Sequence, residues 1–246
     1  MEQVIAKKKW GQNFLGSEET AEKIASEIPA GKNVLEIGPG LGMLTGFLVE
    51  RCKKLTCIEI DRELTYILEK KFANTKNVEI KHGDCLGEDF SKFDVVVGLL
   101  PYNISSRIIE KFVNSKCKTA IFVVQKEVGE RIAGLPGSKN YSRLSVLCQN
   151  NCACELVEVY PPEFFWPVPK VHSSLVKMQR KKPLAIDQTL INALFQHKNQ
   201  KIKKALKHSR HLLGEKVEKI IEKNPALIEK RVVELSIGQL SELGSK

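Results

Sequence analysis

The sequence predicts an α/β fold in which a parallel sheet carries helices on both faces, followed by a small all-helical domain. Between residues 33 and 125, short apolar runs typical of buried strands alternate with helical patterns, and this alternation implies parallel strands joined by helices. From residue 183 onward, four helical patterns follow one another with no strand between them. A chain of 246 residues is long enough for two unequal domains, and we expect them to span 1–182 and 183–246.

The individual elements follow from the spacing of apolar residues. Ala21, Ile24 and Ile28 recur at helical spacing and predict a first helix, which the breaker PAGK ends. The alternating part then predicts, in order, the strand NVLEIG, the helix LGMLTGFLVERC, the strand KLTCIEID, the helix RELTYILEKKF and the strand NVEIKHGD. The nearly continuous apolar runs FDVVVGLL and TAIFVVQ predict two more strands that are covered on both faces.

The last part of the chain begins with two strands and ends in helices. The strands are CELVEVYP and SSLVKMQR, and the loop between them, PPEFFWPVPKVH, carries prolines that oppose regular strand pairing. The helical patterns are DQTLINALFQ, KIKKALKHSRHLL, GEKVEKIIEK and RVVELSIGQLSEL.

Charge and cysteine content narrow the class of protein. The formal net charge of +10 and the pI near 9.2 favour a polyanionic partner, although basic proteins without such a partner also exist. No apolar stretch reaches the ~20 residues of a membrane helix, so we expect a cytoplasmic protein with no membrane contact. The seven cysteines are expected to be reduced. The cluster CQNNCAC lacks a second ligand pair at zinc spacing, so we expect core packing and no metal.

A glycine-rich turn and an acidic residue indicate a site for a nucleoside-bearing cofactor. In EIGPGLG, Gly38, Gly40 and Gly42 permit a tight turn and a close approach of the backbone to a ligand. Glu59 lies 21 residues after Gly38, at the end of the next predicted strand, where such folds hold a ribose diol. The alternative is a purely structural turn with a solvated Glu59.

Asp84 favours the cofactor site over the structural turn. It ends the third strand of the alternation, where its carboxylate can accept a hydrogen bond from an adenine amino group, with Cys85 as an apolar neighbour. The spacing Gly-x-Gly-x-Gly differs from that of dinucleotide folds, and no phosphate-binding Lys-Ser/Thr follows. S-adenosylmethionine therefore fits best.

Several motifs, in order, resemble those of one family. KKKWGQNFL resembles its cofactor-covering segment, LEIGPGLGMLT its glycine motif, CIEID its ribose-binding acid and GDC its adenine-binding turn. LLPYNIS resembles its catalytic motif, QKEVGERI and SRLSVLCQ its later helices, and PPEFFWPVPKVHSS its target-base loop. The family is that of the small-subunit ribosomal RNA adenine N6,N6-dimethyltransferases, which are related to the erythromycin-resistance RNA methylases. The resemblance implies a Rossmann-like S-adenosylmethionine methyltransferase sheet.

The resemblance also implies roles for individual residues. Cofactor contacts are expected from Gln12, Asn13, Leu15, Gly38, Gly40, Glu59, Ile60, Asp84, Cys85 and Leu99. The catalytic positions are Leu99, Pro101, Tyr102 and Phe165. Tyr102 and Phe165 would offer ring faces to the target adenine, and the carbonyl of Pro101 would accept one hydrogen of its amino group. Leu99 stands where the family has an Asn, and leucine accepts no hydrogen bond.

Two functions remain open at this stage. The first is S-adenosylmethionine-dependent dimethylation of adenine N6 in small-subunit ribosomal RNA during ribosome assembly, impaired by Leu99. The alternative is a catalytically weak or inactive RNA-binding assembly factor on the same scaffold. A small-molecule methyltransferase is disfavoured by the net charge of +10.

A basic segment of the predicted helical domain favours an RNA partner. We expect phosphate contacts from Lys198, Lys201, Lys203, Lys204, Lys207 and Arg210. A solvated helix face is the plainer interpretation of such a segment. The expected partner is small-subunit ribosomal RNA or a pre-small-subunit particle, bound by a monomer.

Overall fold

The computed structural model describes residue 7 and residues 10–244, which fall into two compact units. One unit holds the chain up to Gly129 together with Cys154–Arg180, and the other holds Glu130–Ala153 and the chain from Lys181 onward. The second division lies close to the predicted boundary at residue 182. Within these described residues, no helix combines the length and the apolar character needed to cross a membrane.

The first unit is built on a sheet of seven strands, with a separate two-stranded sheet. The strands are β1 (Phe14–Leu15), β2 (Asn33–Ile37), β3 (Lys54–Glu59), β4 (Val78–His82), β5 (Val95–Leu99), β6 (Thr119–Gln125), β7 (Cys152–Tyr160), β8 (Phe165–Trp166) and β9 (Ser173–Arg180). The large sheet has the order β4-β3-β2-β5-β6-β9-β7, and its first five strands are parallel. The predicted parallel sheet is confirmed, except that β9 pairs antiparallel with β6.

Four helices alternate with the parallel strands, and the apolar spacing predicted the first three of them. They are α1 (Glu18–Ser26), α2 (Met43–Arg51), α3 (Arg62–Lys71) and α4 (Ser105–Asn114). Ser17 and Asp61 cap α1 and α3 by accepting hydrogen bonds from the first-turn amides of Thr20 and Glu63. The apolar faces of α1 and α2 pack against the strands in one buried core. This packing holds the ends of the strands in place.

The strand order reverses between β2 and β5, and the two strands approach closely there. From β2 the chain winds outward through β3 and β4, then returns to β5 on the other side of β2. A Cβ atom built on Gly98 would lie only 2.4 Å from the Ile37 carbonyl oxygen, so only glycine fits at this pairing. In open α/β sheets, ligands bind in the crevice at this reversal, outside the carboxyl ends of the strands.

The loop predicted to lack regular pairing contains a short strand. In β8, Phe165 pairs with Leu15 of β1 and Trp166 pairs with Phe14, in antiparallel register. Prolines lie on either side of this dipeptide and not within it, so both residues keep their amide donors. The N-terminal segment and the loop thus form one two-stranded sheet.

The second unit is helical and has its own core. Its helices are α6 (Arg143–Asn151), α7 (Gln188–Phe195), α8 (Ile202–His208), α9 (Arg210–Leu213), α10 (Lys216–Lys223) and α11 (Ile237–Gly244), and α5 (Lys126–Ile132) spans the division between the units. The predicted first domain included residues 130–153, but this segment belongs to the helical unit. The reason is that Tyr141 and Val146 are buried in the core of the C-terminal helices, and the Tyr141 hydroxyl donates to the Leu235 carbonyl at 2.9 Å.

Candidate active site

A cavity of about 770 Å³ lies at the carboxyl ends of the parallel strands in the first unit. Its walls come from the N-terminal segment and from the residues that end or follow β2, β3, β4 and β5. The cavity is lined by eight of the predicted cofactor residues other than Leu99, namely Gln12, Asn13, Gly38, Gly40, Glu59, Ile60, Asp84 and Cys85. All four predicted catalytic positions, Leu99, Pro101, Tyr102 and Phe165, line it as well.

The glycine turn after β2 leaves space for a ligand. Gly38 and Gly40 have φ values of +62° and +59°, a left-handed conformation that glycine adopts without strain. No atom lies within 4 Å of a Cβ built on Gly38, whereas a Cβ on Gly40 would lie 2.8 Å from the Phe14 ring. Gly38 therefore keeps the cavity open, and Gly40 lets the Phe14 ring lie against the turn.

Glu59 holds the turn and still has acceptor capacity toward the cavity. Its side chain is only 4% exposed, and its two oxygens accept hydrogen bonds from the backbone amides of Gly40 at 3.2 Å and Asp61 at 3.0 Å. Burial raises the pKa of this carboxyl above its usual value, and the backbone amides oppose that shift. Because each carboxylate oxygen has two lone pairs, both can also accept a ligand hydroxyl.

Asp84 and Cys85 form the next part of the wall. Asp84 is exposed, and its Oδ1 accepts a hydrogen bond from the Leu86 amide at 2.8 Å, which leaves Oδ2 available for a donor such as an amino group. Cys85 is buried, and burial raises the pKa of its thiol to about 12. The thiol is therefore an uncharged, weakly polar neighbour of the Asp84 carboxylate.

The N-terminal segment closes one side of the cavity. Its three predicted cofactor contacts, Gln12, Asn13 and Leu15, differ in where they lie. The Gln12 side chain accepts from the Lys7 amide at 2.7 Å and donates to Asp61 at 3.1 Å, so its amide ties the segment to the start of α3. Asn13 lines the main cavity, while Leu15 lines only a smaller adjacent cavity of about 330 Å³. Leu15 therefore lies behind the main cavity.

The LLPY segment consists of residues 99–102 and begins at the last residue of β5. Its backbone carbonyls and side chains determine which polar atoms reach this part of the cavity. Leu99 lines both cavities and packs on the core. The Pro101 carbonyl already accepts from the Ile104 amide at 3.1 Å, which leaves it one lone pair. Leu100 also lines the cavity, and among the described residues no backbone amide donates a hydrogen bond to its carbonyl. Sequence reasoning missed Leu100 because its side chain carries no chemistry.

Two aromatic rings border the same part of the cavity. Phe165 is 4% exposed and belongs to the core, and the Tyr102 hydroxyl lies 3.4 Å from that of Ser173. Within the described chain, no ring–ring contact joins Tyr102 to Phe165. Two rings that line one cavity without touching each other are suited to hold a flat heterocycle.

Comparison with known proteins identifies the family that has this fold and these motifs. The family model "Ribosomal RNA adenine dimethylase" matches residues 4–243. The chain belongs to the ribosomal RNA adenine dimethylase family. Proteins named probable ribosomal RNA small subunit methyltransferase A are 41% identical over 244 residues in Thermococcus sibiricus (95% of this chain, 89% of the relative) and 38% identical over 227 residues in Methanosphaera stadtmanae (89% and 84%).

Solved structures agree with this assignment to the dimethylase family. A dimethyladenosine transferase from Plasmodium falciparum superposes with a TM-score of 0.82 at 27% identity, covering 94% of this chain and 95% of that one. The 23S rRNA methyltransferase ErmE gives a TM-score of 0.73 at 27% identity, covering 94% and 97%. The Rossmann-like methyltransferase fold and the membership of this enzyme family, both predicted from the motifs, are confirmed.

Dimethylases of this family use S-adenosylmethionine, and the cavity fits it. The open cradle at Gly38, the free lone pairs of Glu59 and the free oxygen of Asp84 provide space, acceptors for a sugar diol and an acceptor for an amino group. These residues would hold the cofactor.

One buried acid of the dimethylase site was missed by sequence reasoning. Glu36 in β2 is 1% exposed, lines the smaller cavity, and its Oε2 accepts from the Cys57 thiol at 3.3 Å. Burial raises the pKa of its carboxyl to about 7. The signal in the sequence was a lone acid inside the otherwise apolar strand NVLEIG.

The predicted RNA-contacting cations lie in the helical unit and differ in their partners. Lys201 pairs with Glu229 at 2.7 Å and Arg210 with Glu218 at 2.8 Å. Lys198 donates to two backbone carbonyls. Over the part of the chain that the structure describes, no ion pair involves the three exposed lysines of α8, which are Lys203, Lys204 and Lys207.

The role of Glu59 predicts a reduced cofactor affinity on substitution. Charge-assisted hydrogen bonds to the ribose contribute about 1.5–3 kcal/mol, so Glu59→Ala should weaken S-adenosylmethionine binding roughly 10- to 100-fold in isothermal titration calorimetry. Glu50→Ala is the matched control, because it removes the same charge from an exposed residue outside the cavity. Unchanged affinity in Glu59→Ala would place the ribose elsewhere.

Glu36 predicts a pH-dependent stability. Its carboxyl pKa is higher in the folded state, so the folded protein binds more protons than the unfolded chain between about pH 4.5 and about pH 7, and stability falls as the pH rises through that window. Glu36→Gln should remove this decrease and raise the free energy of unfolding by up to about 3 kcal/mol above pH 7. Urea titrations over this range test it, with exposed Glu50→Gln as the control. A pH-independent difference would contradict it.

Proposed function

We propose that this chain methylates the N6 amino group of adenines in small-subunit ribosomal RNA, with two methyl transfers to each target during assembly of the small subunit. The observation that carries the proposal is that the cofactor-binding side chains and the LLPY segment share one cavity at the strand reversal. The archaeal relatives at about 40% identity are named for the small subunit, whereas the 23S rRNA methyltransferase is 27% identical. This difference favours the small-subunit substrate.

The chemistry requires that the target base leave its stack. An adenine amino nitrogen is a poor nucleophile because its lone pair is delocalised into the ring, so it has to be held in line with the methyl group that S-adenosylmethionine supplies. Tyr102 and Phe165 would hold the extruded base between their rings. The carbonyls of Leu100 and Pro101 would accept the hydrogens of its amino group.

Leu99 determines how well this arrangement works. At the end of β5 the family resemblance expects an Asn, whose amide oxygen would accept one amino hydrogen of the target base. The leucine fills this position with apolar surface that packs on the core. An amino group without its acceptor in a dry site is held less firmly.

The second candidate function follows from the same residue. A chain that keeps the scaffold, the cofactor cavity and the basic helix, but lacks a side-chain acceptor at position 99, would act as an RNA-binding assembly factor with weak or no catalysis. Both functions require binding to small-subunit RNA, and only the first requires fast methyl transfer.

RNA binding is assigned to the exposed lysines of α8. Lys203, Lys204 and Lys207 have no ion pair among the described residues, so phosphates would be their first strong partners. Lys201 and Arg210 are already paired with acids on the surface, and such exposed pairs are weak enough to exchange for phosphate.

Neutralising the three lysines should weaken RNA binding and its salt dependence. For the triple variant Lys203→Gln, Lys204→Gln, Lys207→Gln, the slope of log affinity against log salt should fall by up to about 0.9 for each phosphate that is no longer bound, measured by filter binding to undermethylated small subunits. A matched control replaces Lys32, Lys53 and Lys76. These three exposed lysines precede β2, β3 and β4, at the amino ends of the strands, whereas the cavity lies at the carboxyl ends. An equal salt slope in both triple variants would show that the α8 lysines form a solvated face without phosphate contacts.

Restoring the amide at position 99 should accelerate methylation. Removal of one positioned polar partner from a reacting centre costs about 2.7–4 kcal/mol, or roughly 100- to 1,000-fold in rate. Leu99→Asn should therefore methylate at least about 100-fold faster than this chain in single-turnover transfer of tritiated methyl to undermethylated small subunits.

Leu99→Met is the control for this experiment, because it keeps an apolar side chain of similar volume. It should remain as slow as the unmodified chain. Equal, rapid transfer in all three proteins would show that the Leu100 and Pro101 carbonyls and the two rings suffice. RNA binding without methyl transfer by any of them would favour the assembly factor.

A further inference from the structure

An exposed tryptophan stands directly beside the residue expected to contact the target base. Successive residues of a strand point to opposite faces, and in β8 Phe165 is 4% exposed while Trp166 is 50% exposed. Phe165 therefore lies on the buried face of β8 with its pairing partner Leu15, and Trp166 lies on the other face with Phe14, whose ring borders the cavity. Tryptophan is enriched at interfaces because its large ring offers an apolar surface together with a polar N–H.

One face of the Trp166 ring is covered, and the ring is thereby held in place. The Phe14 ring stacks on it with centroids 5.9 Å apart and an interplanar angle of 20°. Phe14 is itself buried and lies against Gly40 of the glycine turn. Half of Trp166 remains exposed, and among the described residues no ring other than Phe14 contacts it, so a flat partner can stack on the side away from Phe14.

The surroundings of Trp166 suit nucleic acid. Val168 and Val171 are exposed, at 62% and 43%, and Lys170 and His172 are exposed between and beside them. From Phe164 to His172 the loop contains no acidic residue. An exposed aromatic ring with a lysine on the same loop is suited to the bases and phosphates of a single strand.

We propose that Trp166 binds a second base of the RNA, that of the nucleotide next to the target adenine, by stacking on the open face of its ring. This inference rests on the proposed function. Extruding the target adenine removes a stacking partner from its neighbour, and the Trp166 face, one residue from Phe165, replaces that partner. The Phe14–Trp166 stack thus serves as a platform at the border of the cavity, distinct from the rings that hold the target base.

The test combines a protein variant with a modified RNA. Trp166→Ala should bind a synthetic RNA hairpin with an adenine in its loop roughly 5- to 100-fold more weakly, whereas Trp166→Phe should stay within about threefold, because it keeps an aromatic face. Hairpins abasic at the 5′ or the 3′ neighbour of that adenine complete a double-mutant cycle. At one of the two positions, the abasic site should weaken binding to the unmodified protein by a similar factor and have no further effect on Trp166→Ala.

Two controls separate stacking from packing. Trp166→Leu keeps apolar bulk without a ring and should lose affinity as Trp166→Ala does, while Val168→Ala, at a more exposed neighbour, should bind as the unmodified protein does. Cofactor affinity, measured by calorimetry, should be retained in Trp166→Phe and shows that the site is folded. The chain has two tryptophans, so a Trp10→Phe background leaves Trp166 as the only one, and its fluorescence should be quenched on hairpin binding.

The possible results separate the role of Trp166 from the proposed function. Unchanged hairpin affinity in Trp166→Ala, or additive effects at both abasic positions, would overturn the role of Trp166. If the unmodified chain methylates undermethylated small subunits and Trp166→Ala does so with the same KM, the inference falls and the proposed function stands. If the unmodified chain binds neither the hairpin nor the subunits, the proposed function falls and the inference falls with it.

Discussion

The close approach of β2 and β5 at the reversal of strand order is the constraint on which the site depends. Gly98 permits it, because any side chain there would collide with the Ile37 carbonyl. Parallel strands end at a common edge, so the pairing brings the glycine turn after β2, the acid that ends β3 and the LLPY segment after β5 to one cavity. The chemistry of this family member follows from that convergence.

The cavity combines well-satisfied polar groups with one conspicuously apolar position. Glu59 is buried, yet two backbone amides stabilise its charge and fix the turn that it serves. Leu99 lies on the same edge and contributes no polar atom. Gly38, Glu59 and Asp84 lie at the ends of β2, β3 and β4, whereas Pro101 and Tyr102 follow β5. The backbone carbonyl of Leu100 gains importance because it does not depend on the side chain at position 99.

Local patterns were enough to predict part of this fold. Nearly continuous apolar runs predicted the strands of a sheet covered on both faces, and apolar residues at helical spacing predicted the helices and the helical C-terminal part. The positions of the predicted cofactor residues at strand ends also followed from spacing: Gly38 lies after β2, Glu59 at the end of β3 and Asp84 after β4. Family resemblance added Leu99 and Phe165, whose roles no periodicity reveals.

The pairing of distant segments could not be predicted from local sequence patterns. The antiparallel β9, the ladder between β1 and β8 and the placement of residues 130–153 with the helical unit all rest on contacts between residues far apart in the chain. The basic segment forms two helices that meet at Ser209, whose hydroxyl donates to the Ala193 carbonyl of α7. Burial of Glu36 and the stacking of Phe14 on Trp166 were equally hidden, since neighbours in space set both.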